Sequence, residues 1–370
     1  MITVLADSYI DYLQEYLSTD INCITYHPEN GPDKEQLENA DALLVRTVTQ
    51  INEYQINLAP KLQFIGTASA GFDHINRPLL HNRGIQFASA PGCNARSVAE
   101  YVSTCILYWS WKNKLELKAL SVGIVGVGKT GSEVCVLLER LGLKTQCYDP
   151  PRQDQDKGFK SCSLKEVLSC DIITLHVPLT HQDEHATNQW LNEIKIKNSS
   201  VQLFINSARG GVAADKALLS AKKTKGIDFI LDVWENEPNF DDQVSVASFI
   251  KTPHIAGYSR QSKRKATKMV CEALNKHFNL DETSTDIMES TEFIDIDSDS
   301  NFDTILSKIH PLFHYDDQFR LLIGLPEDEK IIQFRRLRSE IPLRNEFKYL
   351  RVPEKVLTKY PHLGDLGLHP

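Results

Sequence analysis

The chain has no run of apolar residues approaching the roughly 18 needed to span a bilayer, which excludes a membrane-crossing helix. It has no basic tract, and its 41 Lys and Arg are outnumbered by 49 Asp and Glu, leaving a formal charge of −8. General nucleic-acid binding rests on neutralising phosphates and is disfavoured by that balance. A small anion in a locally positive pocket is not excluded. The eight cysteines (Cys23, Cys93, Cys105, Cys135, Cys147, Cys162, Cys170 and Cys271) form no C-x-x-C pair. Neither a structural zinc site nor any other metal centre is expected. The opening Met1-Ile2-Thr3-Val4 lacks the basic start and long apolar stretch of a secretory signal. Reduced thiols in a cytoplasmic protein are the expectation. No internal repeat or low-complexity tract is evident, and a hydrophobic fraction of 41% argues against a largely disordered chain.

At 370 residues the chain is too long for one ordinary core, and two or three domains are expected. Short apolar runs at 2–6, 42–45, 62–67 and 85–88 alternate with polar helical stretches, the first at 8–17. That alternation predicts a parallel sheet with crossover helices. A long helical pattern then covers 95–113, with Asn94 as candidate cap. A second series places strands at 121–125, 145–148, 172–175, 203–206, 227–233 and a short piece near His254. Six strands make a full doubly wound nucleotide-binding sheet. A return helix at 261–279 is expected to pack back on the first domain. Residues 281–303 turn to Asp, Glu, Ser and Thr and suggest a linker or a solvated edge. Beyond it, 306–313, 319–323, 330–339 and 347–350 suggest a small α+β unit with a basic helix carrying Arg335, Arg336 and Arg338. Such a unit is too small for a strong core and is expected to lean on another subunit. The fold class is therefore α/β: two doubly wound, Rossmann-like parallel-sheet domains plus a small C-terminal α+β domain.

The sharpest local signal is Gly126-Val127-Gly128-Lys129-Thr130-Gly131, after a strand and opening a helix. Gly126 allows a tight turn, Gly128 lets backbone approach a pyrophosphate, and Gly131 allows close helix–strand packing. The helix N-terminus adds unpaired N–H groups and a favourable dipole. Asp149 stands 18 residues past Gly131 at the end of the next strand. There a carboxylate holds ribose hydroxyls and repels a 2′-phosphate, favouring NAD over NADP, with Arg152 nearby as the feature that could accept one.

Three segments close strands of the second series, where an open α/β sheet places its ligand crevice. They are Asn206-Ser207-Ala208-Arg209-Gly210-Gly211, Asp232-Val233-Trp234-Glu235-Asn236-Glu237-Pro238 and Pro253-His254-Ile255-Ala256-Gly257-Tyr258. An arginine can clamp a substrate carboxylate, and a histidine can take a hydroxyl proton as hydride leaves. A neighbouring carboxylate, Glu235 or Glu237, can orient that histidine. Oxidation of a 2-hydroxy acid needs this combination.

On these segments and the glycine turn, in this order, the chain resembles the D-isomer-specific 2-hydroxyacid dehydrogenase family. The resemblance implies Arg209 as substrate anchor, Glu237 rather than Glu235 as the histidine's partner, and His254 as acid/base. It implies a substrate-binding lid at 1–93 and 258–282, an NAD-binding Rossmann domain at 94–257 and a C-terminal dimerisation domain at 283–370. Val45-Arg46-Thr47, Gly66-Thr67-Ala68-Ser69-Ala70-Gly71-Phe72-Asp73-His74 and Ala90-Pro91-Gly92-Cys93-Asn94 sharpen the likeness. They look like members that oxidise 4-phospho-D-erythronate with NAD in pyridoxal 5′-phosphate biosynthesis, as homodimers. That likeness implies Thr47, Thr67 and Tyr258 on substrate, and Asp149, Ser207, Ala208, Arg209, Asp232 and Gly257 on NAD, besides Gly126, Gly128 and Gly131. For the substrate phosphate, Arg46 is the first candidate and Arg344 of the tail the second. Val177, Ala213 and Ala214 depart from the pattern. A phosphoglycerate-type dehydrogenase and a non-catalytic NAD-sensing protein on the same fold remain alternatives.

Overall fold

The computed structural model describes residues 1–182, 184–281 and 289–370. The chain divides into two compact units, one of Met1–Asn94 with Ser259–Glu289, the other of Ala95–Tyr258 with Ser290–Pro370. The expected domain boundary at 282/283 lies outside the described residues.

The first unit is a five-stranded parallel sheet of β1 (Ile2–Asp7), β2 (Ile21–Tyr26), β3 (Ala42–Val45), β4 (Phe64–Thr67) and β5 (Gln86–Ser89), in the order β2-β1-β3-β4-β5. Its central strands β3 and β4 are buried at every residue, as strands covered on both faces must be. The apolar runs mark four of the five strands. β2 escapes that pattern because it is an edge strand, with polar Asn22 and Thr25 and burial only at its end. Helix Arg260–Phe278 returns to this sheet, its Ala266, Val270 and Leu274 packing with Leu44 and Phe64. Gly66 makes that approach possible: a Cβ there would stand 2.4 Å from Val270 Cγ1.

The second unit holds six parallel strands, β6 (Ser121–Val125), β7 (Lys144–Tyr148), β8 (Ile172–Leu175), β9 (Leu203–Asn206), β10 (Asp228–Leu231) and β11 (Ile250–Lys251). Their order is β11-β10-β9-β8-β6-β7, so the sheet reverses direction of growth between β6 and β8. Ligands of open α/β sheets bind at the carboxyl ends of strands beside such a switch point.

The tail is mostly helical. Phe319 lies in helix Leu312–Arg320, where Leu312, Tyr315 and Phe319 recur at helical spacing and are all buried. The only tail strands among the described residues are β12 (Glu292–Phe293) and β13 (Leu350–Arg351), paired in parallel. Nor does the tail keep a core of its own. Phe302, Ile305, Leu306, Ile309, Leu312 and Phe347 share one apolar cluster with Val102, Ile106, Val122 and Ile124. About 80 residues bury too little surface alone, and here they finish the nucleotide-binding sheet's flank.

Candidate active site

The glycine turn connects β6 to helix Lys129–Arg140, with Gly128 as its N-cap. Gly126 has φ +85°, and a Cβ there would stand 2.8 Å from the His176 carbonyl at the end of β8. A Cβ on Gly131 would stand 2.0 Å from the Gly126 carbonyl oxygen. Those two glycines are required by the protein's own packing. A Cβ placed on Gly128 would meet nothing within 4 Å, which leaves that side of the turn open to a ligand. Asp149 closes on the same turn: its Oδ2 accepts from Val127 N–H at 2.7 Å and its Oδ1 from Arg152 N–H at 3.0 Å. The Arg152 guanidinium is turned inward, donating to Val127 O at 2.5 Å and Ser132 Oγ at 3.1 Å and lying over Phe159. Two buried polar atoms at neighbouring strand ends, His176 Nδ1 and Ser207 Oγ, have no partner among the described residues. Burial drives the His176 imidazole down to about 3, so it stays neutral. An open backbone turn at a helix start, a carboxylate on it and orphaned donors beside the switch point fit a dinucleotide.

The loop after β9 is held by Asn206, whose Oδ1 accepts from Ala208 N–H at 3.1 Å while its Nδ2 donates to Arg209 O at 2.9 Å. Gly210 lets that loop lie on the next one: a Cβ would stand 1.9 Å from the Trp234 carbonyl oxygen. The Arg209 segment and the Glu237 segment are thereby fixed against each other. Glu237 Oε1 meets His254 Nδ1 at 2.5 Å, and Glu237 Oε2 accepts from Trp234 N–H at 3.3 Å. Glu235 points elsewhere and takes Asp215 N–H at 3.3 Å. It thereby serves the helix whose N-cap, Ala214, has no capping side chain. The geometry selects Glu237 as the histidine's neighbour. His254 has φ +60°, and its side chain and that of Glu237 remain 27% and 26% exposed.

Behind His254 stands Asp232, whose two oxygens accept from Ile255 N–H (2.7 Å), Ala256 N–H (2.9 Å) and Thr252 Oγ1 (2.6 Å). Thr252 in turn hydrogen-bonds Tyr101 OH at 2.8 Å. Burial raises the Asp232 carboxyl although His254 and these donors pull the other way. Burial also pushes Glu237 up, but the charges of His254 and Arg338 outweigh it and hold the group below its usual range. Thr252 and Tyr101 were not candidates from sequence; the only signal was a Thr two residues before the candidate histidine. Arg338 was noted only as one member of a basic helix.

Within the other unit, Arg46 Nε donates to buried Asp7 at 3.0 Å and its guanidinium lies over Tyr9. Thr67 Oγ1 is buried and shared between Ser69 Oγ (2.8 Å) and His74 Nε2 (3.0 Å), whereas Thr47 beyond β3 is partly exposed. Arg344 does not fit its expected role. Its guanidinium is 6% exposed and bound to buried Glu100 at 2.6 Å and to Ser97 O, so it is committed to anchoring the tail.

Residues 100–256 match the family described as D-isomer specific 2-hydroxyacid dehydrogenase, NAD binding domain. Over nearly the whole chain it is similar to proteins named erythronate-4-phosphate dehydrogenase. That of Tolumonas auensis is 35% identical, covering 92% of each chain, and that of Coxiella burnetii is 34% identical, covering 99% of this chain and all of the relative. Among solved structures, D-lactate dehydrogenase from Aquifex aeolicus, complexed with NAD and lactic acid, is 25% identical with a TM-score of 0.59. It covers 75% of this chain and 95% of its own. A Thermus thermophilus protein at 21% identity and TM-score 0.62 shares the fold over the same fraction.

Proposed function

The chain belongs to the D-isomer-specific 2-hydroxyacid dehydrogenase family, and on that footing we propose that it oxidises 4-phospho-D-erythronate to (R)-3-hydroxy-2-oxo-4-phosphooxybutanoate in pyridoxal 5′-phosphate biosynthesis. The observation that carries the reading is the Glu237–His254 pair on a loop packed through Gly210 onto the Arg209 turn. NAD, when bound, supplies the acceptor for the hydride that leaves C2.

Arg209 anchors the substrate carboxylate through its planar fork of donors and polarises the C2 oxygen. His254 takes the C2 hydroxyl proton on Nε2, because Glu237 engages Nδ1 and fixes the tautomer with Nε2 as acceptor. Glu237 then stabilises the imidazolium that results. Asp232 holds the His254 loop by its three hydrogen bonds, with Ser207, Ala208 and Gly257 on the cofactor side. Gly126, Gly128, Gly131 and Asp149 cradle the pyrophosphate and adenosine ribose. Arg152 is already tied to Val127 and Ser132 and so is not free to take a 2′-phosphate. Thr47, Thr67 and Tyr258 contact substrate, and Arg46 takes its phosphate, its terminal nitrogens having no partner among the described residues.

The chain acts as a homodimer joined through its tail, where Phe293, Leu321 and Ile332 are large apolar residues left exposed. Eight unpaired cysteines fit a reducing, cytoplasmic setting. NAD-linked oxidation of 4-phospho-D-erythronate and of 3-phospho-D-glycerate, with and without 2-oxoglutarate as recycling acceptor, tests the reading. A strong preference for the four-carbon acid supports it. Preference for the three-carbon acid moves the enzyme to the phosphoglycerate class, and no turnover with bound NAD favours a sensing role.

A further inference from the structure

Helix Glu327–Glu340 lies along the loop that carries Glu237. Glu327 Oε1 accepts from Asn239 Nδ2 at 2.8 Å, and Lys330 Nζ donates to Asp242 Oδ1 at 2.7 Å while lying over the Phe240 ring. Phe334 packs on Phe240 and Phe319 at 6.1 and 5.9 Å between ring centres, and Phe319 stacks on Trp234 at 4.7 Å. Trp234 and Phe240 bracket Glu237 in sequence. Glu327, Lys330, Phe334 and Arg338 follow at steps of three, four and four residues, so one helix face carries all four.

That stripe delivers Arg338. Its guanidinium carbon lies 6.0 Å from the centre of the Tyr258 ring, it interacts with the Tyr258 hydroxyl, and its charge acts on Glu237. Its Nε is sealed from solvent without a hydrogen-bond partner among the described residues. Its neighbour Arg336, by contrast, faces outward and pairs with exposed Glu340. The charged or titratable groups around Glu237 are thus His254 from the following loop and Arg338 from the tail helix, with Asp232 and Tyr258 in the same field.

Resting on the reading of His254 as acid/base, we propose that Arg338 is a positioning residue: delivered by that stripe against the Trp234–Phe240 loop, it fixes Tyr258 and backs the Glu237–His254 pair, so the tail helix completes the active site of its own chain. A cation within reach of a carboxylate favours its ionised form, and an oriented carboxylate in turn sets the imidazole.

The test compares full-length Arg338→Gln and Arg338→Lys, each checked for unchanged NAD binding and melting. In Arg338→Gln, kcat should fall roughly tenfold, a part of what positioned acid–base chemistry contributes. The acid limb of kcat/KM should move up by about one pH unit, with KM for 4-phospho-D-erythronate within about threefold. Arg338→Lys should restore most of both. Unchanged kcat and pH profile overturn the proposal. So does a rise in KM with the acid limb unmoved, which marks a substrate contact, or an equal loss in both variants, which marks packing alone. His254→Asn run alongside separates the two readings: if it keeps turnover, the acid/base reading fails however the Arg338 variants behave.

Discussion

Glu100 and Arg344, 244 residues apart in the chain, meet at 2.6 Å with the carboxylate sealed from solvent and the guanidinium nearly so. The same carboxylate also accepts from Arg96 Nε at 2.9 Å and from Phe347 N–H at 2.9 Å. Helix Ala95–Lys112 thereby holds the returning tail through one buried group.

Removing that charge leaves two guanidinium groups without their buried counter-ion. Glu100→Gln should cost about 3–5 kcal/mol, the scale for breaking a buried pair from one side. Denaturant unfolding measures it, and limited proteolysis should cut the tail first. An unchanged unfolding midpoint would show that Glu100 is not the anchor.

His254→Asn should lower kcat by roughly 10²–10⁴-fold while NAD affinity, read by calorimetry, stays within about threefold. The glycine turn and Asp149 lie on other strands and do not depend on the imidazole. Near-normal turnover would remove His254 from the acid/base role.

The three glycines of the turn should separate into two kinds. Gly131→Ala puts a methyl group 2.0 Å from the Gly126 carbonyl oxygen and should lower the melting temperature as well as NAD binding. Gly128→Ala meets nothing within 4 Å and should melt as the parent does, losing only NAD affinity. Equal melting losses in both would contradict the division.

Asp215 offers a stability test with a definite sign. Burial, with Glu235 and Asp241 beside it, raises its carboxyl from the ordinary 3.8 to about 7. The folded chain therefore holds a proton that the unfolded chain has released, and stability is lost as pH rises from about 4 through 7. Asp215→Asn removes that loss. Its melting temperature should match the parent near pH 4 and exceed it at pH 8, where the gain in stability is roughly 1 kcal/mol after allowing for partial solvent screening. An advantage at pH 4 that vanishes at pH 8 would reverse the argument.

What could be read from the sequence follows from where the physics is local. The strand–turn–helix of Gly126–Gly131 and the central strands β3, β4, β8 and β9 declare themselves because buried parallel strands are short apolar runs and glycine turns have fixed spacing. β2 does not, since an edge strand needs only one buried end. For 319–323 the apolar run leaves the element type open, since five apolar-rich residues look alike at either period; the helical partners Leu312 and Tyr315 settle the matter only once burial is known. Among site residues, the choice of Glu237 over Glu235 came from the family pattern, and the structure gives its local reason. Glu235 serves a helix that lacks a capping side chain. Thr252, Tyr101 and Arg338 act through contacts between distant segments, and Arg344 was misassigned for the same cause: a lone arginine carries no mark of the buried carboxylate it will meet.

Phe334 and Arg338 against the Trp234–Phe240 loop also set an order of events during synthesis. A nascent chain that has emerged through residue 300 already has all six strands of the nucleotide-binding sheet and both His254 and Glu237, yet the aromatic plug behind them is missing. The Trp234–Phe240 loop gains its aromatic backing only after Phe319 and Phe334 have emerged, so products truncated before them carry the Glu237–His254 pair on an unsupported loop and expose the apolar flank that the tail covers.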